Sequence, residues 1–405
     1  MKTKALIVGG GIAGLTLAAL LDSVGLDCIV IDKGSKVTAK DIKNSGRTAA
    51  LLNSSIHVLE AAGVWNQTKE IASPLKQMRL KDDGNPDLPV KEVLFPANDI
   101  GLDQFGFNVP NLGLKKALQE HLAKQKSVKV LYKSGLESYE CLDHGIKAKL
   151  DNGKTIEADI IIGCDGRGSP VRTQTGIQVK EVDYDQIGIT FLIQHDKPHN
   201  NISTEHHRPG GPFTFVPMKE HESAIVWVEK SDQAKEYLDL SEKKLEKVVQ
   251  EKSNDLLGEI SIKTAPESWP IKSLTAEKLI GKRCALAAEA AHVMSPIGAQ
   301  GLNLSLRDIA ALAETLTDAA RQGEDIGSDL VLKRYARRRK IDMASRTDGI
   351  DKFNKIVSNN IGFLRGVRRS GLEALNKIPQ LKQLLMHQGL APALDEGRLT
   401  RGEAL

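Results

Sequence analysis

The hydrophobic pattern at the start of the chain predicts a strand, a helix and a second strand in close succession. Residues 5–8 read ALIV, a short apolar run that suits a strand buried on both faces of a parallel sheet. A glycine-rich turn follows, then an apolar stretch to Leu21, and then a second apolar run from Ile29 to Ile31. This order is typical of the opening unit of an α/β domain.

Two later segments repeat the buried-strand pattern, and a different pattern separates them. Residues 160–162 are a short apolar run, and residues 283–287 are a predicted strand that is apolar after Arg283 and precedes a helical pattern from Leu302 to Arg321. Between them, QIGITFLIQ, PFTFVPM, SAIVWVEK and EISIKTAP are rich in β-branched and aromatic residues, which predicts antiparallel strands, with one helix near 241–257. From about 327 onward the pattern is helical.

These patterns predict three parts. A discontinuous α/β domain would comprise residues 1–75, 100–180 and 270–325. An inserted antiparallel-sheet domain would comprise 76–99 and 181–269, and a helical C-terminal region would comprise 326–405. Such a division favours a ligand pocket between the two sheets.

Composition indicates an ordinary globular protein. The chain has 405 residues, of which 40% are hydrophobic and 27% charged. Lys2, Lys4 and the uncharged run behind them resemble a secretory signal, but three consecutive glycines interrupt the run, so we expect no cleavage and a cytoplasmic protein. Four cysteines lie far apart without a CxxC pair, which predicts neither disulfides nor a metal site.

Charge is unevenly distributed. The net charge of +4 is too small to suggest a nucleic-acid partner, yet residues 331–369 hold 12 Lys or Arg against 3 Asp, a local charge of +9. These helices could rest on anionic lipid, which would make the protein peripheral on the inner face of the cytoplasmic membrane. They could equally be solvated faces of helices packed on the α/β domain, and both can hold together.

The first glycine turn carries a dinucleotide signature. Gly9, Gly11 and Gly14 fill the GxGxxG pattern between the first strand and helix, and Asp32 ends the second strand. Glycines at these places allow a tight turn, close approach of a pyrophosphate and close helix–strand packing, and the acid accepts ribose hydroxyls. The pattern predicts dinucleotide binding without separating NAD from FAD.

Two further segments add to this signature. Asp165-Gly166 ends a predicted strand, although alone it is a common turn. Residues 284–308, CALAAEAAHVMSPIGAQGLNLSLRD, place Glu289 after a strand and Gly298 and Gly301 at the start of a helix. A helix N-terminus there would stabilise a negative charge, such as that on a reduced flavin.

In this order the motifs resemble the single-component FAD-dependent aromatic hydroxylases of the p-hydroxybenzoate hydroxylase fold. The ubiquinone-biosynthesis branch is resembled by residues 45–65 (SGRTAALLNSSIHVLEAAGVW), 210–218 (GGPFTFVPM), 300–308 (QGLNLSLRD) and 369–385 (RSGLEALNKIPQLKQLL). The resemblance covers nearly the whole chain. It implies a Rossmann-like FAD-binding domain with an inserted antiparallel-sheet substrate domain and a helical C-terminal region.

The resemblance also implies which residues bind FAD. They are Gly9, Gly11, Ile12, Ala13, Gly14, Asp32, Lys33, Arg47, Asn111, Asp165, Gly166, Glu289, Pro296, Gly298, Gln300, Gly301, Leu302 and Asn303. One segment departs from the family, which usually has Gly-Asp-Ala-Ala-His where this chain has Ala288-Glu289-Ala290-Ala291-His292. We expect FAD binding to survive this change.

The implied activity is hydroxylation of an aromatic ring with NAD(P)H and O2 through a C4a-hydroperoxyflavin. The expected substrate is a polyprenylated phenol of ubiquinone biosynthesis. The alternatives are a small soluble phenol, or a flavin-binding assembly subunit of a quinone-biosynthesis complex with little activity. NAD(P)H would meet the flavin transiently, because no separate nicotinamide domain is visible.

Candidate catalytic residues are Arg47, Pro296 and His292. His292 could act as a general base, but a structural role is favoured because the flavin performs the chemistry in this family. The candidates to line the substrate pocket are Phe191, Phe213, Phe215 and Trp227, each of which could equally be core. His206 and His207 would point to opposite faces of a strand, so we expect them to be solvated rather than metal ligands.

Overall fold

The computed structural model of the protein describes residues 1–83, 88–357, 362–390 and 397–405, and it describes their side chains except at 297, 344–369 and 390. The described elements through residue 163 are β1 (Lys2–Val8), α1 (Ile12–Ser23), β2 (Cys28–Asp32), α2 (Ala39–Asn44), β3 (Thr48–Leu52), α3 (Asn53–Ala61), α4 (Trp65–Lys69), β4 (Ser73–Leu75), β5 (Gln77–Asp82), β6 (Lys91–Pro96), β7 (Gly106–Pro110), α5 (Asn111–Leu122), β8 (Val128–Tyr132), β9 (Leu136–Leu142), β10 (Gly145–Leu150) and β11 (Thr155–Gly163).

The later described elements are α6 (Pro170–Gln174), β12 (Val179–His195), β13 (Ile202–Arg208), β14 (Gly211–Pro217), β15 (Glu222–Lys230), α7 (Ser231–Leu238), α8 (Glu242–Ser253), β16 (Ile260–Ile262), β17 (Glu267–Ala276), β18 (Ile280–Gly281), β19 (Cys284–Leu286), β20 (His292–Val293), α9 (Gln300–Arg321), α10 (Asp329–Val357), α11 (Gly362–Lys377) and α12 (Pro379–Leu390).

An eight-stranded sheet forms the α/β part of the fold. Its strand order is β18-β19-β11-β1-β2-β8, and β10 and β9 extend it from β11. β1 pairs in parallel with both β2 and β11, so the carboxyl ends of these strands lie at one edge. The apolar run from Ala5 to Val8 is buried, as its sequence predicts.

A nine-stranded sheet forms the second layer. Its order is β20-β17-β12-β15-β14-β13-β5-β6, with β16 added at β12, and its core strands are antiparallel. The sheet extends to residues 292–293, beyond the expected boundary at 269. Two helices, α7 and α8, cover one of its faces where one helix was expected, and α8 ends early because Asn254 adopts φ +49°.

The C-terminal region is helical in its described parts, as the sequence predicts. α10 packs against α9, and the buried Tyr335 hydroxyl donates to the Leu286 carbonyl at 2.9 Å. A short turn at Leu399–Arg401 packs on α3. No helix within the described residues combines the length and the apolar character needed to cross a membrane. The architecture is that of the expected α/β fold with an inserted antiparallel sheet.

Candidate active site

A cavity of about 730 Å³ lies where the carboxyl ends of β1, β2 and β11 face the nine-stranded sheet. Its size is that of a pocket for a cofactor or a drug-sized ligand. The cavity brings together most of the residues expected to bind FAD: Gly9, Gly11, Ile12, Ala13, Asp32, Lys33, Arg47, Asn111, Asp165, Gly166, Glu289, Pro296, Gly301 and Leu302. His292 also lines it, whereas Gly14, Gly298, Gln300 and Asn303 lie outside its lining.

The first glycine turn is shaped by backbone contacts. A Cβ atom at Gly9 would lie 2.2 Å from the Cys164 carbonyl oxygen, and one at Gly14 would lie 2.0 Å from the Gly9 carbonyl oxygen. Gly11 differs, because a Cβ atom there would meet no atom within 4 Å. Gly11 is also the N-cap of α1 and provides no capping side chain, so the first N–H groups of the helix can bind phosphate.

Asp32 lies at the end of β2 and faces this turn. Its Oδ1 accepts from the Gly34 N–H at 2.7 Å, and its Oδ2 lies 3.4 Å from Lys115 Nζ. A Cβ atom at Gly10 would lie 2.5 Å from Asp32 Oδ2, so glycine is needed beside the carboxylate. Sequence reasoning missed Lys115. Its position four residues after Asn111, on the same face of α5, was the available signal.

The Asp165-Gly166 turn leaves a polar atom available. Asp165 Oδ2 accepts from the Val171 N–H at 3.1 Å, and burial raises the pKa of this carboxyl. Within the described part of the chain, Asp165 Oδ1 and Asn111 Oδ1 are buried and have no hydrogen-bond partner. Both residues line the cavity, so a bound group with hydroxyl donors would satisfy these atoms.

The Ala288-Glu289 departure has a backbone consequence. Ala288 adopts φ +57°, a left-handed conformation that favours the glycine usual in the family. Its N–H donates to Asp308 Oδ2 at 3.0 Å, which holds the turn in place. Glu289 is exposed and lines the cavity, so its longer side chain has room there.

Asn303 links the second glycine-rich loop, which contains Gly298 and Gly301, to the rest of the domain by hydrogen bonds. Its Oδ1 accepts from the Leu52 N–H at 2.9 Å and from the Ser55 hydroxyl at 2.7 Å. Its Nδ2 donates to the carbonyls of Ala50 and Ala299, each at 2.8 Å. The side chain is fully buried and all its contacts are internal, so it orients the loop.

His292 belongs to a buried charged cluster. Its Nε2 lies 2.5 Å from Asp308 Oδ2, and Arg339 Nε donates to Asp308 Oδ1 at 2.7 Å. Asp342 accepts from both Arg339 and Arg307. Burial alone would raise the pKa of Asp308, but His292 and Arg339 outweigh it and lower that pKa to about 2. The cluster ties the cavity wall to α10.

Arg47 stacks on an aromatic ring at the boundary of the two sheets. Its guanidinium carbon lies 4.7 Å from the centre of the Trp269 ring, and both residues line the cavity. A cation held on a tryptophan face has a restricted orientation. Trp269 was not singled out from the sequence, although it follows the strand pattern.

The structure does not bring the four expected pocket aromatics to the cavity. Phe191, Phe213, Phe215 and Trp227 are buried in the core between the nine-stranded sheet and helices α7 and α8. Their strand neighbours line the cavity instead: Thr190, Val216 and Val226. Successive residues of a strand point to opposite faces, so the alternative that these four side chains are core is correct, and the other face of the same strands lines the cavity.

The expectation of solvated histidines at 206 and 207 is wrong. Both side chains are buried, and His206 Nδ1 lies 2.5 Å from Asp83 Oδ2. Burial lowers the pKa of His206. Both side chains therefore lie in the protein interior, on the two faces of β13, rather than at a solvated surface. Among the residues described, no three His, Cys, Asp or Glu side chains are grouped so as to hold a metal ion.

These features fit FAD. The cavity combines a helix N-terminus for a pyrophosphate, a carboxylate at the end of β2 for a ribose, and buried acceptors at Asn111 and Asp165 for hydroxyl groups. It then continues to the antiparallel sheet through Arg47 and Trp269. An extended dinucleotide could therefore lie along the first sheet with its reactive end near the second.

Comparison with known proteins agrees with this reading. The sequence profile of the family described as "FAD binding domain" matches residues 2–346. The chain is 30% identical to "Ubiquinone hydroxylase UbiL" of Rhodospirillum rubrum over 99% of this chain and 93% of the relative. It is 28% identical to "3-demethoxyubiquinol 3-hydroxylase" of Escherichia coli over 96% of this chain and 98% of the relative.

Among solved structures, the p-nitrophenol 4-monooxygenase PnpA from Pseudomonas putida superposes with a TM-score of 0.80 at 18% identity, over 97% of this chain and 100% of PnpA. That likeness concerns the fold. The family match and the full-length relatives together confirm the resemblance seen in the sequence. The chain therefore belongs to the FAD-binding-domain family and is an FAD-dependent monooxygenase of the ubiquinone-hydroxylase type.

Proposed function

We propose that this protein hydroxylates the aromatic ring of a polyprenylated phenol in ubiquinone biosynthesis, with NAD(P)H and O2 as co-substrates. The observation that carries the proposal is the single cavity that joins the dinucleotide turn to the antiparallel sheet. The names of full-length relatives, ubiquinone hydroxylases among them, support the choice of pathway.

In this proposal the first sheet holds the cofactor. The N-terminus of α1 binds the pyrophosphate, Asp32 with Lys115 beside it binds the adenosine ribose, and Asn111 and Asp165 accept from hydroxyls of the ribityl chain. FAD, when bound, supplies the electron transfer and the oxygen chemistry. The chain's share is to orient the reactants and exclude water.

The second sheet would hold the ring. Thr190, Val216 and Val226 give one hydroxyl and two branched apolar side chains, a surface suited to an apolar phenol. Arg47 on Trp269 closes the boundary between cofactor and substrate. His292 has its Nε2 engaged by Asp308, so we assign it the orientation of the loop rather than the removal of a substrate proton.

The test uses the purified protein. A flavin absorbance spectrum, with NAD(P)H oxidation that a prenylated phenol stimulates and with one hydroxyl added to the phenol, is the expected result. Bound flavin that neither prenylated nor soluble phenols stimulate would contradict the proposal and favour an assembly subunit. A soluble phenol that is the better substrate would overturn the prenylated assignment alone.

A variant tests the substrate face separately. Val226→Phe should raise KM for the phenol severalfold, because the larger ring enters the cavity, while FAD affinity stays unchanged. The matched control is Ile225→Val, one residue away on the opposite face and fully buried, which should lower stability by about 1 kcal/mol without changing KM. Equal KM values in the two variants would refute the assignment of the cavity face.

A further inference from the structure

The outer face of α12 carries an apolar surface for which the active site provides no role. Of the side chains that the structure describes, eleven large apolar ones are exposed, and four of these lie within positions 378–385. We call these four the α12 patch: Ile378, Leu381, Leu384 and Leu385. Their exposed fractions are 46%, 37%, 53% and 44%, respectively. Such a concentration of exposed apolar side chains marks an interaction surface.

The opposite face of α12 fixes the direction of the patch. Met386 is buried with Phe95 of β6 and Leu372 of α11. Lys382 Nζ lies 2.5 Å from a carboxylate oxygen of Asp99, and the Gln383 side chain donates to the Asp99 carbonyl at 2.9 Å. The patch cannot turn inward without breaking these contacts.

The chemistry of the patch favours a lipid surface over a protein. Four aliphatic side chains, three on α12 and Ile378 just before it, fall far short of the roughly 20 residues a side that a stable protein interface uses. Leu381, Leu384 and Leu385 follow the i, i+3, i+4 spacing of a helix that lies flat in a membrane interface. The preceding stretch of 331–369 carries 12 Lys or Arg against 3 Asp. Arg339 is buried in the Asp308 cluster and Arg334 and Arg338 pair with glutamates, which leaves nine basic residues that suit anionic headgroups.

The patch adjoins the active site. The Gln300 side chain, at the N-terminus of α9, lies 3.5 Å from the carbonyl of Gly389 in the last turn of α12. The neighbouring residues Ala299, Gly301 and Leu302 line the cavity. A surface that holds α12 would therefore lie beside one rim of the cavity.

We propose that the α12 patch inserts into the boundary between headgroups and acyl chains of an anionic bilayer, and that it holds this rim of the cavity against the membrane. The insertion is inferred from the exposed apolar side chains of the patch and from the basic residues of 331–369. The role of this membrane contact, to receive a phenol whose prenyl tail remains in the bilayer, rests on the proposed function.

The experiment is co-sedimentation of the FAD-loaded, full-length protein with phosphatidylcholine vesicles that contain or lack phosphatidylglycerol. The variant carries Leu384→Ser and Leu385→Ser. The matched control carries Leu142→Ser and Leu330→Ser, two leucines exposed by 42% and 65% on other surfaces. We expect the wild type and the control to bind anionic vesicles, and the α12 variant to bind at least about tenfold more weakly.

Three outcomes would overturn the proposal. They are no binding of the wild type to either vesicle, equal binding of the α12 variant and the control, and a wild-type dimer that the α12 substitutions dissociate. The last would make the patch an interface between copies. Thermal unfolding and the flavin spectrum of both variants verify that they fold.

A turnover assay separates this proposal from the proposed function. With a short-chain phenol in detergent-free buffer, the α12 variant should match the wild type, because the patch lies outside the cavity lining. With a long-chain phenol in vesicles, it should lose most of its activity. If the wild type oxidises NAD(P)H with neither phenol, the hydroxylase function fails, whereas the vesicle result still decides the membrane surface.

Discussion

The two glycine-rich loops lie against the same cavity, yet they are held in different ways. In the first loop, the Cβ positions at Gly9 and Gly14 are filled by backbone oxygens at 2.2 and 2.0 Å, so close packing of the main chain requires glycine. In the second loop, Cβ atoms at Gly298 and Gly301 would meet nothing within 4 Å, and only the backbone conformation of Gly298, with φ +69°, favours glycine. Side chains hold that loop instead: Asn303, His292 and Asp308.

The two loops therefore differ in what holds them: close packing of the main chain in the first, and buried polar side chains in the second. Steric packing can be recognised in a short sequence, because the spacing of the glycines reflects it. A polar framework is assembled from residues far apart, and Asp308 depends on Arg339, 31 residues further along. We therefore expect the first loop to be destabilised by side-chain atoms added at its packed glycines. We expect the second to be destabilised by removal of its hydrogen-bonding side chains.

The largest expected effect on stability comes from the buried cluster of Asp308, His292 and Arg339. Asp308→Ala would leave His292 and Arg339 buried without their shared carboxylate, and we expect a loss of about 3–5 kcal/mol in the free energy of unfolding. Urea unfolding of the apoprotein measures this. Asp318→Ala, on the same helix but partly exposed, is the control and should cost less than about 1 kcal/mol. Similar losses in both would remove the basis of the comparison.

Gly14→Ala tests the steric loop. The added methyl would overlap the Gly9 carbonyl oxygen, and we expect destabilisation of about 3 kcal/mol in the apoprotein. Gly11→Ala is the matched variant, because its methyl meets no protein atom and its φ of −75° suits alanine. It should leave apoprotein stability nearly unchanged and weaken FAD binding in a flavin titration. A stable Gly14→Ala protein would show that the helix can move away.

Asn303→Ala removes the side chain whose hydrogen bonds hold the second glycine-rich loop. The backbone groups of Leu52 and Ala50 would lose their buried partner, so we expect a loss of about 2 kcal/mol in the free energy of unfolding. The flavin titration should show weaker binding as well, since the loop at Ala299 is released. Unchanged affinity for FAD would mean that the loop keeps its shape without this side chain.

The smallest expected effect is on the pH dependence of the free energy of unfolding in acid. The pKa of Asp308 is lowered from 3.8 to about 2, so its contribution to stability is present above the ordinary value and is lost as the pH falls through about 2. The slope of unfolding free energy against pH between about 4 and 2 should be smaller in Asp308→Asn than in the wild type. Identical slopes would show that another carboxylate controls acid unfolding.

Sequence reasoning found what is local and missed what depends on the face of a strand or on distant partners. The turns at Gly9 and Asp165 were recognisable because each closely follows a short apolar run, and the loop at Gly298 because it precedes a helical pattern. Phe191 and Trp227 were candidates for either the pocket or the core, and they lie in the core, whereas Thr190 and Val226 line the cavity. Alternation alone does not say which face of a sheet meets a helix layer and which meets a cavity.

The buried charges were also beyond sequence reasoning. Arg339 and Asp342 lie in the basic stretch 331–369, for which a solvated surface was one of the expectations, and Arg307 follows an uncharged loop and helix start. Their burial is decided by the packing of α10 on α9, which no local pattern reveals. His206 was misjudged for the same reason, since Asp83, which lies 123 residues earlier, pairs with it.

The turn near residue 400 has a consequence for the order in which this protein can mature. The Leu399 N–H donates to Glu314 of α9, and the Thr400 carbonyl lies 2.9 Å from His57 Nδ1 of α3. The same two helices are joined behind the cavity, where Ser55 of α3 donates to Asn303 of α9. During synthesis the first glycine turn leaves the ribosome hundreds of residues before this turn. Stable capture of FAD should therefore follow translation rather than accompany it.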